Sequence, residues 1–359
     1  VNLDIENKIY GHDYDSVVLY RLPFKKESHI LLGFAESVIN GISEHHLSKD
    51  GFVFEPFEAN LNQGIFINSA FTGSFETLSA VQKQDLGNLI PQFENMDKVR
   101  ETSFEEYAKN YQQMLKTINE GELDKVILSR IKTGPKISNI QAINVFEQLA
   151  SNYSHAFVYV IFSSKIGLWI GAGPELLLRY DGKRLNTVSL AGTIPNTSTS
   201  KWTAKELDEQ SIVTEYIENV LLNHQVEDII ISDPQTISAG QIKHLCSYFS
   251  FTCPKINGNH IGILYDLHPT PAVCGMPKED AYQLIMKTEQ HDREFYAGFL
   301  GPVVNNTYEF YVNLRCLKTT KNGTALFVGG GLTKDSDLKK EWQETELKSQ
   351  TLLSVLKNI

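Results

Sequence analysis

Between residues 1 and 98, short apolar runs alternate with turn residues, as in Ser16-Val17-Val18-Leu19-Tyr20 and Gly64-Ile65-Phe66-Ile67. That pattern predicts a β-rich N-terminal portion. The period then changes. Ser103-x-x-Glu106 has the spacing of a capping box, and Tyr107, Tyr111, Met114, Leu115 and Ile118 recur at helical intervals. Gly121 stands where this helix should stop. Lys125-Val126-Ile127-Leu128-Ser129-Arg130 follows, a buried-strand pattern with a lysine at its entrance. The longest apolar stretch, 156–170, is broken by Ser163-Ser164-Lys165 into strands at 157–162 and 166–170 joined by a hairpin turn. Further strands are predicted at 176–180, 229–231, 309–316 and 324–328, and helices at about 203–222, 280–287 and 338–356. Clustered strands with separate helices indicate an α+β fold with much of its sheet antiparallel. No repeat, low-complexity tract or Pro/Ser-rich linker divides the chain.

Two of these helices place carboxylates where apolar residues belong. On the helix at 203–222, at about 100° per residue, Ile212, Val213, Tyr216, Ile217 and Val220 form one stripe. Glu209 falls inside that stripe and Glu206 at its edge, whereas Glu215 and Glu218 point to the opposite face. On the last helix Leu338, Trp342, Leu352 and Leu356 make the stripe, and Glu341, Glu344 and Lys348 run along one flank. A buried carboxylate without a partner costs several kcal/mol or gives up its charge. Two helices that each turn Glu-x-x-Glu inward therefore invite a hard cation. Oxygen ligands without His or Cys favour Mg²⁺ over zinc or copper. The same spacing is common on solvated helices, and Glu215/Glu218 is an example in this chain.

Composition narrows the partners. The 359 residues are 42% hydrophobic and 21% charged, with net charge −10. This suits a globular protein and argues against nucleic acid or an anionic membrane, both of which reward clustered Lys and Arg. It leaves room for a small anion held by a few local cations and a metal. The four cysteines form no C-x-x-C pair and read as buried thiols of a cytoplasmic protein. No signal peptide is visible, and no apolar run approaches the ~18 residues of a membrane span.

Several other groups could carry chemistry. Lys125 could serve as a base if burial or a nearby cation lowers its pKa, and is otherwise an ordinary strand-end lysine. Glu175, after Gly171-Ala172-Gly173-Pro174, could protonate a leaving group or lie in a surface loop. Ala191-Gly192-Thr193 and Gly329-Gly330-Gly331 are small-residue turns whose amides could receive a carboxylate. His268 sits in the rigid segment His268-Pro269-Thr270-Pro271-Ala272, and Arg315 in a predicted strand, where a substrate carboxylate is one possible partner. No Ser/His/Asp elbow, zinc spacing, dinucleotide fingerprint or P-loop is present.

In order along 100–359, these segments resemble those of the chorismate-utilising enzymes, whose members include isochorismate, salicylate, anthranilate and aminodeoxychorismate synthases. The matching stretches begin with Gly121-Glu-Leu-Asp-Lys-Val-Ile-Leu-Ser-Arg130, Gly173-Pro-Glu-Leu-Leu177, Ser189-Leu-Ala-Gly-Thr193 and Lys205-Glu206-x-x-Glu209. Leu267-His-Pro-Thr-Pro-Ala272 with Gly275, Asp292-Arg-Glu-Phe-Tyr-Ala-Gly298 and Asn313-Leu-Arg-Cys316 follow. Phe327-Val-Gly-Gly-Gly331 and Glu341-Trp-x-Glu-Thr345 complete the set. The resemblance implies a single chorismate-binding domain over 1–359, a large antiparallel β-sandwich flanked by helices, with 1–98 as its variable portion and 99–359 as its catalytic core. It implies Mg²⁺ between two glutamate-bearing helices, with Glu209 and Glu344 as ligands and Glu206 and Glu341 as acidic neighbours. Arg315, Gly329 and Lys348 match groups that hold the pyruvyl carboxylate. Gly192 and Thr193 match the ring-carboxylate side, and His268 and Ala272 lie at positions near the ring.

Subtype follows from a few of these positions. Members that add water carry a lysine where Lys125 stands, whereas ammonia-using anthranilate enzymes have glutamine there. Ala191 occupies the place of the lysine nucleophile of aminodeoxychorismate synthases, and Ala272 that of a threonine common in ammonia-using members. The resemblance therefore implies an isochorismate synthase with Lys125 as base and Glu175 as acid, no glutaminase subunit, and a monomer. One departure is that the family's glutamate-histidine is here Glu209-Gln210. Salicylate synthase, which goes on to eliminate pyruvate, is the alternative; its usual arginine after Ala-Gly-Thr is Ile194 here. A synthase subunit awaiting a glutaminase, and a non-catalytic binding protein that kept the fold, are further readings. Menaquinone and siderophore supply share this step and are not separable in the sequence.

Overall fold

The computed structural model describes residues 14–58, 63–89, 99–196, 201–239, 242–253 and 259–357. Among them every strand pairing is antiparallel, and the pairings trace one continuous path. It starts at Gly275–Met276 and runs through Lys125–Gly134, Gly323–Leu332, Cys316–Thr320, Gly167–Gly173, Phe157–Ser163, Ser16–Arg21 and His29–Val38. It continues through Gly64–Ser74, Gly51–Glu55, Phe299–Val304, Thr307–Val312, Leu176–Tyr180, Leu185–Pro195 and Ile242–Thr252. Glu227–Ile231 and Gln235–Ala239 both pair with Ile242–Thr252.

The sheet folds over on itself into a sandwich, as the aromatic contacts show. Phe157 stacks on Tyr311 with ring centroids 4.5 Å apart, and Phe54 stands edge-on to Trp169 at 5.8 Å, each pair joining the first half of the path to the second. The run 157–162 is apolar because both its faces are covered. Phe157, Tyr159 and Ile161 enter the core between the layers. Val158, Val160 and Phe162 meet the outer cluster built with the helices Asn139–Asn152 and Leu338–Leu356.

Local signals explain most boundaries. Ser103 caps the helix Phe104–Asn119 by accepting from Glu106 N. Only half of the anticipated capping box forms there, because the Glu106 carboxylate pairs with Arg100 at 2.6 Å. Gly121, at φ +80°, follows the C-cap Glu120. Strand 309–316 is a correction: it ends at Val312, and pairing resumes at Cys316. The helix Asn139–Asn152 and the strands Leu185–Pro195 and Ile242–Thr252 go beyond the sequence prediction. All four cysteines are free. Among the described residues no helix is long and apolar enough to cross a membrane.

Candidate active site

The chain passes from one layer to the other at Pro174-Glu175, between the strands Gly167–Gly173 and Leu176–Tyr180, and again at 313–315. Val312 N donates to Glu175 O at 2.9 Å and Ala172 N to Arg315 O at 3.2 Å, so the two crossings hold each other in place. Arg315 adopts φ +50° at the second of them. Beside these crossings the two ends of the sheet path converge. The strands Lys125–Gly134 and Gly323–Leu332 come from one end, and Leu185–Pro195 and Ile242–Thr252 from the other. A pocket of about 770 Å³, its open mouth included, lies between them.

Its walls bring together Lys125, Glu175, Gly192, Glu209, Ala272, Arg315, Gly329, Glu344 and Lys348. Lys125 and Glu175 are 2% and 3% exposed, which rejects both the ordinary strand-end and the surface-loop reading. Burial lowers the Lys125 pKa, with Glu209 acting in the opposite direction. Burial raises Glu175 to about 7, against the pull of Lys125, and Thr270 Oγ1 donates to its Oε1 at 3.4 Å. A Cβ on Gly331 would fall 3.0 Å from Lys125 Cε, so the glycine run leaves room for the lysine. Lys348 Nζ bridges Glu344 Oε1 at 2.7 Å and Gly329 O at 2.9 Å.

The remaining sequence candidates lie elsewhere. Glu206 does not line the pocket; its carboxylate accepts from Thr203 N at 2.8 Å and from Thr203 Oγ1, closing the capping box of the helix Ala204–Asn223. Glu341 is 2% exposed and lies behind the wall, accepting from Ser336 Oγ at 2.8 Å. A Cβ on Gly330 would meet Glu341 Oε2 at 3.3 Å and Glu344 Oε1 at 3.7 Å, which brings both carboxylates close to that glycine. His268 is buried outside the pocket lining, edge-on to Phe299 at 5.1 Å. The ring-side placement implied by the resemblance is not what the geometry gives for it. Thr193 belongs to the strand Leu185–Pro195, and its side chain falls outside the described residues.

His244 and Tyr296, which also line the pocket, carried no role in the sequence reading. Arg315 Nη2 donates to His244 Nε2 at 3.0 Å, which leaves the imidazole to donate from Nδ1 to Gly192 O at 2.9 Å. Burial, reinforced by Arg315, drops His244 to about pKa 3, so the ring is neutral and this chain of hydrogen bonds has one direction. Ile242-Lys243-His244-Leu245-Cys246 shows no apolar/polar alternation, so the sequence carried no signal that would have set His244 apart. Tyr296 sits within the quoted segment Asp292–Gly298.

Among the described residues no three His, Cys, Asp or Glu side chains converge closely enough to hold a metal alone. Mg²⁺ typically keeps several waters and takes one or two carboxylates plus substrate oxygens. Glu209 and Glu344, two hard oxygen donors on one pocket, fit that mode.

An antiparallel sandwich that turns buried Lys125 and Glu175 together with the basic side chains of Arg315 and Lys348 onto one pocket has the make-up of an enzyme acting on a small anion. The family described as chorismate binding enzyme matches residues 61–357, and the chain belongs to it. The chain is 28% identical to isochorismate synthase EntC of Escherichia coli (strain K12) over 319 residues, 84% of this chain and 79% of that protein. Against isochorismate synthase MenF of the same organism, identity is 33% over 259 residues, 67% and 58% of the two chains. The solved structure of that menaquinone-specific MenF superposes with a TM-score of 0.78 at 23% identity, covering 96% of this chain and 89% of the other.

Proposed function

We propose that this chain is an isochorismate synthase, converting chorismate reversibly to isochorismate with Mg²⁺. The observation that carries the reading is the pairing of a buried lysine of lowered pKa with a buried glutamate raised to about 7 on one pocket. Neutral Lys125 can take a proton from water as the water oxygen bonds to C2. The double bonds shift, the C4–O bond breaks, and protonated Glu175 delivers its proton to the departing hydroxyl. Lys125 is then an ammonium and Glu175 a carboxylate, and protons return through solvent. Bound at Glu209 and Glu344, Mg²⁺ would offset the charge of the ring carboxylate and orient it. Arg315 and Lys348 supply cations for the second carboxylate, and the neutral His244 ring fixes the Arg315 head. Water rather than ammonia is the nucleophile, since Lys125 fills the base position.

Incubation of the purified chain with chorismate and Mg²⁺, with products separated by chromatography and identified by mass, tests the reading. Isochorismate in equilibrium with chorismate is the expected result. Salicylate with pyruvate, anthranilate on adding ammonium, or no turnover would overturn it.

A further inference from the structure

The strand Leu185–Pro195 bonds along one edge to Ile242–Thr252, with Leu190 opposite Cys246. Along its other edge it pairs with Leu176–Tyr180 only at Leu185 and Asn186. Farther along that open edge stands Gln210, 3% exposed, from the helix Ala204–Asn223. Its Oε1 accepts from Ala191 N at 3.0 Å, and its Nε2 donates to Ser189 O at 3.2 Å and Ser189 Oγ at 2.8 Å. Ser189 Oγ lies in turn 2.9 Å from Thr214 Oγ1 on the same helix. A residue of a parallel neighbouring strand, facing Leu190, would bond these same two backbone groups. The side-chain amide takes the place of that missing strand.

What the amide holds is a pocket wall. Leu190, Ala191 and Gly192 line the pocket, and Glu209 beside Gln210 lines it from the helix. Just past Ala191 the regular ladder stops: the register with Ile242–Thr252 shifts between Lys243 and Leu245, and Gly192 turns to φ +64°. A Cβ there would fall 3.1 Å from Glu206 Cβ, so strand and helix are in close contact. Ala191 is thus the last regularly paired residue before Gly192 bends to accept from His244. We propose that Gln210 is a positioning residue that locks the wall Leu190–Gly192 to the helix carrying Glu209.

The side-chain requirements are narrow. A donor and an acceptor must sit at amide spacing, at the reach of two methylenes, without charge. Methionine fills the volume but leaves Ala191 N–H and Ser189 C=O without partners. Glutamate keeps the acceptor and sets a second oxygen against Ser189 O. Asparagine is too short to bridge.

The kinetic arm of the test rests on the isochorismate synthase reading; the other two do not. Gln210→Met and Gln210→Glu would be compared with Val213→Ala, which trims the buried stripe of the same helix. Amide hydrogen exchange at Ala191, calorimetric titration with Mg²⁺ alone, and kcat and KM for chorismate would be measured. Exchange at Ala191 should rise about tenfold in Gln210→Met, and Mg²⁺ affinity should fall about tenfold. KM should rise by a similar factor while kcat stays within about threefold. Val213→Ala should lose stability with Ala191 exchange, Mg²⁺ affinity and KM unchanged. Gln210→Glu, which keeps one hydrogen bond, carries the same measurements if the methionine variant does not fold. Normal Ala191 exchange or unchanged Mg²⁺ affinity in the Gln210 variants would overturn the proposal. A wild-type chain without turnover would remove the functional reading and leave exchange and Mg²⁺ binding to decide the role of Gln210.

Discussion

A buried ammonium and a buried carboxyl group on one pocket each favour the uncharged form, because desolvation outweighs their mutual attraction. Both shifts run in the direction the proposed reaction needs. The reaction requires Glu175 with its proton, and that protonated fraction falls as pH rises through about 7. It also requires Lys125 without its proton, and that deprotonated fraction falls as pH drops through the lowered lysine value. A bell-shaped kcat/KM profile is expected, with one limb breaking near 7 at Glu175 and the other at the lowered Lys125 value. Lys125→Ala and Glu175→Ala should each lower kcat by about 10²–10⁴, while calorimetry still detects chorismate binding. Near-normal rates in either variant would remove that residue's role. At this scale the sequence was informative wherever chemistry conflicts with pattern: Glu209 inside an apolar stripe and Lys125 at a buried strand both proved to line the pocket. It was misleading where a residue's partner is remote. His268 has its neighbour in Phe299, whereas Glu206 was misplaced despite a local signal, since Thr203-x-x-Glu206 has the spacing of the capping box it forms.

The elements carrying these groups are joined by polar bolts as well as apolar packing. Arg130, fully buried on the strand that begins with Lys125, donates to Thr345 Oγ1 at 2.8 Å and to Glu346, and its guanidinium lies 3.8 Å from the Trp342 ring centroid. Residues 342, 345 and 346 share one side of their helix, so gripping them leaves the flank with Glu344 and Lys348 for the pocket. Lys132, two residues along the same strand, holds Glu346 at 2.6 Å. Arg130→Met should cost about 2 kcal/mol through the lost hydrogen bonds and ring contact, read as a lower urea midpoint with an unchanged slope. An unchanged midpoint would show the bolt to be idle. Helix-period signals marked the helices Phe104–Asn119, Ala204–Asn223, Lys278–Thr288 and Leu338–Leu356, because a helix repeats its face locally, although Asn139–Asn152 was missed. Strand 309–316 read as continuous because its residues suit a strand on both sides of the break. The break comes from the layer crossing at 313–315, held by Glu175 and Ala172, residues far away along the chain.

At the scale of the molecule, the division into a variable portion 1–98 and a core 99–359 meets the connectivity of the sheet. Ser16–Arg21 lies between His29–Val38 and Phe157–Ser163, and Gly51–Glu55 pairs with Phe299–Val304. The N-terminal strands are thus the middle of the path, the part that carries one layer over into the other. Phe52 and Phe54, both fully buried, complete the aromatic core against Phe157 and Trp169. Removing residues 1–98 would leave two half-sheets, each with an unpaired edge and an uncovered apolar face, the combination that drives aggregation. The pocket would lose its frame even though none of its lining residues lies in the deleted part. Sequence patterning could identify these strands as strands, but pairing between residues more than a hundred positions apart leaves no periodic trace. The full chain should therefore unfold in one transition, with far-UV circular dichroism and tryptophan fluorescence coinciding. The 99–359 fragment should be recovered only as aggregate. A soluble fragment with a cooperative melt and chorismate turnover would show that the N-terminal strands are an addition to the fold and not its centre.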